Sequence, residues 1–218
     1  MKLNLSKGNM YDFITHTGNT IKGECSHDCS YCYMKRWGKL KKVRLDKKEL
    51  KTPMTEGNYI FVGSSCDMFA NDIPDEWIEK TLEHCDSYWN RYFFQSKNPW
   101  RMRCFSLPKN SVVCTTIETN RNYNVMGCAP KPRERADGMR MFRGGHDRYV
   151  TIEPVMDFDF DEMFELIVRC DPTQVNIGSD SGNHGLPEPT KDKLLNLIEE
   201  LEKVTVVKQK ANLKRLLK

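Results

Sequence analysis

The chain has no apolar run long enough to cross a bilayer. Its first residues, MKLNLSKGNMYDF, lack the apolar core of a secretory signal. It has no low-complexity tract, no internal repeat and no Pro/Gly/Ser-rich linker. These absences exclude a membrane span and a flexible tandem, and lead us to expect one domain over 1–218. What remains is a polar chain: 218 residues, 39% hydrophobic and 29% charged, with a mean hydropathy of −0.65. That is enough to bury one core. Nine cysteines without a secretion signal point to a reducing, cytoplasmic setting. The net charge of +4 is weak by itself, but Lys35–Lys48 and Lys203–Lys218 are strongly basic. Such runs serve either as solvated faces or as anion and nucleic-acid patches.

The cysteines are uneven. Cys25, Cys29 and Cys32 lie in GECSHDCSYCYMKRW (23–37) as C-x3-C-x2-C, while the other six are scattered and form no second cluster motif. Three thiolates at this spacing can hold three irons of a [4Fe–4S] cluster and leave the fourth open, as a catalytic metal site requires. The alternative is a Cys3His zinc site that recruits His27. Four ligands within eight residues is cramped, because zinc sites usually pair two separated doublets.

Elsewhere strand and helix patterns alternate. Strands are expected near Asn19–Gly23, Asn58–Gly63, Arg91–Gln95, Ser111–Glu118, Arg148–Val155, Gln174–Gly178 and Val204–Lys208. Helices are expected at Tyr31–Gly38, Asp75–Trp89, Pro99–Phe105, Pro132–Arg143, Phe160–Cys170 and Lys191–Lys203, with a basic C-terminal helix last. The segment from the basic run through TPMTEG reads as loop. Sustained β/α order predicts parallel strands joined by right-handed crossovers. The units are too few for a complete eight-fold barrel, so the expectation is an α/β fold, a partial (β/α)6-type barrel over about 19–208.

Chemistry in such folds gathers at the C-terminal strand ends. There the chain offers Ser64-Ser65-Cys66-Asp67, Lys97, Thr116, Glu118, Glu153, and Asn176 with Ser179–Ser181. The cysteine loop together with these residues resembles the radical S-adenosylmethionine (SAM) superfamily. Ser65-Cys66-Asp67, Gln95-Ser96-Lys97 and Thr115–Glu118 look like its spore photoproduct lyase-like branch, in a minimal form. The Gly-Gly-Glu form usual after the second strand is absent.

The resemblance implies an enzyme that uses a [4Fe–4S] cluster and SAM, with Cys25, Cys29 and Cys32 as cluster ligands and Tyr31 near the adenine. Ser64–Cys66 would offer backbone carbonyls to the SAM ammonium. Lys97 and Thr116 would meet the methionine carboxylate, and Glu118 a ribose hydroxyl or Arg133/Arg135, with Arg135 counted among the cofactor-binding residues. Cys66 would return hydrogen to a product radical. Implied partners are an external one-electron donor and a nucleic acid or nucleotide substrate, with no membrane. The rival readings are a zinc-binding nucleic-acid module and an iron–sulfur electron-transfer protein that does not cleave SAM.

Overall fold

A computed structural model describes residues 1–218. Its frame is an eight-stranded sheet. Strand β1 (Asn4–Leu5) runs antiparallel to β2 (His16–Gly18). From β2 onward every neighbour is parallel: β5 (Tyr59–Val62), β6 (Arg91–Gln95), β7 (Ser111–Thr116), β8 (Asp147–Ile152), β9 (Gln174–Ile177) and β10 (Val206–Gln209). Apart from a small ribbon of β3 (Ile21–Lys22) and β4 (Arg44–Leu45), spatial order follows chain order and the two edges do not pair with each other. The crossovers carry α1 (Lys47–Lys51), α2 (Asp75–Asp86), α3 (Pro99–Met102), α4 (Pro132–Arg140), α5 (Phe160–Arg169) and α6 (Lys191–Glu202). This is a partial β/α barrel: sequential parallel strands, each returned by a crossover, with the sheet left open.

Alternation along the strands sorts the core in two. Ile60, Val62, Phe94, Val113, Val150, Ile152 and Val175 join Ile78, Leu82, Met139, Ile167, Leu194 and Ile198 of the helices in the larger core. The opposite residues Phe61, Phe93, Val112 and Cys114 point inward and meet Tyr11 and Ile14. Tyr11 and Phe13 stack at 5.3 Å, and each meets Phe93 edge-on, at 5.2 and 5.5 Å. The segment between β1 and β2 therefore plugs the lower interior. Higher on the same inner face, Thr116, Thr151 and Asn176 are register partners, and Glu118 and Glu153 stand one pleat above.

Several expected elements are shifted. The strand expected at 19–23 is split. The sheet strand is His16–Gly18, so the barrel begins before residue 19, and β3 (Ile21–Lys22) pairs instead with β4 (Arg44–Leu45). Asn19 turns its side chain to the loop after β5, which ends the sheet pairing. The segment read as loop thus contains β4 and α1, the latter capped by the Asp46 carboxylate, which accepts from Lys48 N. Tyr33–Trp37 is a single 3-10 turn rather than a helix over 31–38, and the C-terminal basic segment is a 3-10 turn, Ala211–Arg215. Helix α2 stops at Asp86, which leaves Trp89 exposed, while Ile78, Leu82 and Cys85 are buried as the pattern required.

Candidate functional site

The cysteine loop leaves β2 and is fixed on three sides. Glu24 N donates to Lys41 O at 2.9 Å, which ties the loop's entry to the segment before β4. The 3-10 turn Asn124–Met126 grips its middle: Ser30 N donates to Val125 O (2.8 Å), Cys128 N to His27 O (2.7 Å) and Cys29 Sγ to Met126 O (3.3 Å). Gly127 closes that grip with φ +61°, and a Cβ there would lie 2.1 Å from His27 O. Only glycine fits this approach. On the third side is Asp67, whose carboxylate accepts from His27 Nε2 (2.9 Å), Ser96 Oγ (2.8 Å) and Lys97 N (2.8 Å). One carboxylate thus joins the loops after β2, β5 and β6. Burial alone would lower the His27 pKa, but the Asp67 hydrogen bond and charge raise it, and His27 in turn helps hold the Asp67 pKa down against burial.

No three His, Cys, Asp or Glu side chains are drawn closely enough together to hold one metal ion. A zinc site needs every ligand within about 2.3 Å of one point, whereas in a cluster each thiolate meets its own iron. His27 has Nε2 committed to Asp67, so a metal could meet this ring only at Nδ1. Cys66 Sγ donates at 3.7 Å to the carbonyl oxygen of Glu24, the residue before Cys25. Contact with the Cys66 thiol is the main cause that lowers the Cys25 thiol, to about 6 against burial, and the same contact raises Cys66.

Above the inner face, Glu118 is fully buried. It accepts from Tyr31 Oη (2.5 Å), Lys97 Nζ and Arg135 Nη1 (2.6 Å). Burial would raise its pKa, but the Arg135 and Lys97 charges outweigh that and take it to about 2. Tyr31 is pushed up, chiefly by burial and then by the Glu118 charge, so the phenol stays neutral. Two cations against one carboxylate leave an excess positive charge, and Arg135 Nη2 is buried without a partner. An anionic ligand offsets such an excess. Nearby, Thr116 Oγ1 accepts from Gln95 Nε2 at 3.0 Å.

The sequence-derived residues therefore fall into groups. Tyr31, Lys97, Glu118 and Arg135 form one bonded unit. Ser64 and Ser65 are tied to Asn19, and Ser64 O accepts from Tyr33 Oη at 2.7 Å. Glu153 belongs to a second group: it accepts from Lys210 Nζ (2.6 Å), Asn9 Nδ2 (2.7 Å) and Asn212 Nδ2 (3.0 Å). Asp180 caps its own loop through Gly182 N and His184, and Ser179 Oγ donates to Asn212 O. Asn176 keeps a buried amide N–H without a partner. Sequence reasoning missed the Asp67 clamp, the Asn124–Cys128 grip and the Asn9–Lys210–Asn212 set around Glu153. Only Asp67 carried a signal, as an acid directly after the Ser64–Cys66 turn. A cleft of about 470 Å³ lies at the opposite ends of the strands, lined by Asn58, Trp89, Asn90, Arg91 and Lys109. It holds none of these residues.

An open, sequentially ordered parallel sheet with its cysteine loop after the first parallel strand defines the chain as a partial β/α barrel. Among solved structures it is similar to spore photoproduct lyase. A cysteine-to-alanine mutant of that protein aligns with TM-score 0.66 at 14% identity, over 94% of this chain and 78% of that one. The mutant with dinucleoside spore photoproduct gives 0.60 at 15%, over 93% and 64%. A double mutant with bound AdoMet and the dinucleoside gives 0.58 at 15%, over 90% and 64%. This chain thus spans about 64% of the length of the ligand-bound relatives it matches. At these identities the likeness is one of fold. No protein-family model and no curated protein matches the chain.

Proposed function

We propose that the chain is a radical SAM enzyme, a single core domain in which Cys25, Cys29 and Cys32 hold a [4Fe–4S] cluster and the strand-end residues hold SAM. The observation that carries this is the joint placement of the three-thiol loop and the excess positive charge at Lys97 and Arg135, linked through Tyr31 and Glu118. When bound, such a cluster supplies the electron that cleaves SAM to a 5′-deoxyadenosyl radical, which takes hydrogen from the substrate. The protein's own residues do the positioning. Asp67 holds the loops after β2, β5 and β6 in fixed relation. Lys97 is free to exchange part of its Glu118 contact for the SAM carboxylate, since Arg135 and Tyr31 continue to satisfy Glu118. Cys66, buried and protonated, is the hydrogen donor we assign to product formation.

The fold likeness to a lyase that binds a dinucleoside supports a nucleotide or nucleic-acid substrate. The unpartnered Asn176 amide and the Glu153–Lys210–Asn212 set would face that substrate. The test is anaerobic reconstitution with iron and sulfide, then dithionite and SAM, with 5′-deoxyadenosine measured. Wild-type protein should form it, and Cys25→Ala, Cys29→Ala and Cys32→Ala should each abolish it. A colourless, zinc-loaded protein would overturn the reading.

A further inference from the structure

An electron for a cluster on the 25–32 loop must enter from outside, and the surface over that loop has a distinct character. Cys32 begins the 3-10 turn Tyr33–Trp37. On that turn Trp37 is 68% exposed and Tyr33 48% exposed. Arg36 lies over both rings, 5.0 Å from Trp37 and 5.6 Å from Tyr33. The chain then continues through Lys39, Lys41, Lys42 and Arg44, all exposed. The ion pairs of this region involve Lys35 with Asp28 and Lys22 with Asp46 and Glu49, which leaves the cations from Arg36 to Arg44 unpaired. The strip is joined to the cysteine loop by the Glu24 N to Lys41 O hydrogen bond, one residue from Cys25. Exposed aromatics with Arg36 over them, followed along the chain by unpaired cations, make a surface suited to a small, electrostatically steered contact.

We propose that Tyr33–Arg44 is the docking surface for an acidic one-electron carrier protein that reduces the cluster; this rests on the radical SAM reading above. Redox encounters use small interfaces, and their rates depend on complementary charge. In the transfer the carrier loses one electron and the cluster gains one, with no bond made or broken in either protein. Stacking on nucleic-acid bases is the less suitable use, because the Arg36 guanidinium already occupies a face of both rings.

The test compares wild type with K39E/K41E/K42E and with K39R/K41R/K42R, using an acidic flavodoxin as the probe. Binding is read by titration calorimetry on the chain as purified. Reduction of the reconstituted cluster is read by stopped flow, with reduced flavodoxin and separately with dithionite. Charge reversal should weaken flavodoxin binding and slow flavodoxin-driven reduction by about tenfold or more at low salt. The arginine variant should behave as wild type, added salt should erase the difference, and dithionite should reduce all three equally. Equal flavodoxin binding and rates in all three overturn the proposal, as does loss of single-stranded DNA binding alone. A wild-type protein that takes up no cluster, and so shows nothing for dithionite to reduce, overturns the radical SAM reading instead.

Discussion

A carboxylate with no solvent exposure stays an anion only where cations surround it, and Glu118 meets that condition through Arg135 and Lys97. Its pKa near 2, below the ordinary 4.5, makes it a source of acid-sensitive stability. A depressed pKa contributes fully above the unfolded value and is lost as pH falls through the folded one. Stability measured by urea unfolding should therefore decline between about pH 4.5 and about pH 2. Glu118→Gln should flatten that decline and cost about 3 kcal/mol at neutral pH, since it leaves the buried Arg135 and the half-buried Lys97 without their counter-charge. Cys66 calls for a different readout. Cys66→Ser should leave SAM cleavage intact and change the product distribution, checked by mass spectrometry of products. Unchanged products would remove it as hydrogen donor.

At the scale of elements, the Asn124–Met126 turn is as necessary to the cysteine loop as the loop's own residues. Gly127→Ala places a Cβ into His27 O and demands a left-handed backbone of a non-glycine residue. The expected outcome is a folded protein, by circular dichroism, whose iron content after reconstitution falls several-fold. Gly8, also at positive φ but with open space around it, is the control position. This contrast shows what a sequence can convey. The cysteine spacing, the β5 to β9 strands and the apolar stripe of α2 were legible, because each is a local pattern of period 2 or 3.6. The nearness of Glu118 to an arginine of the 131–135 segment was expected too, but the bonds that add Tyr31 and Lys97 to it were not. The Gly127 approach, the partners that Asp67 binds and the bonds of Glu153 to Asn9 and Asn212 join residues far apart in the chain; the local pattern marks Asp67 as an acid after a turn but records none of these pairings. The split of the first strand was hidden for a related reason: Asn19 is claimed by Ser64 and Ser65 rather than by its neighbours.

For the whole molecule, the parallel strands form a ladder whose centre is β6, β7 and β8, each paired on both sides. Hydrogen exchange should be slowest there and fastest in β1 and β10, which sit at the edges. If β10 proved as protected as β7, the sheet would have to close on itself in solution. No helix is long and apolar enough to cross a membrane. Because β1 and β10 do not pair, no strand ladder closes that side, and the lower end is stoppered by Tyr11 and Phe13. The 6–15 segment spans the gap instead, with Asn9 Nδ2 donating to Glu153 Oε1 (2.7 Å) and Lys210 Nζ over the Tyr11 ring at 4.4 Å. Side-chain contacts rather than a row of backbone hydrogen bonds hold that seam, so it is the side of the molecule with the least backbone pairing.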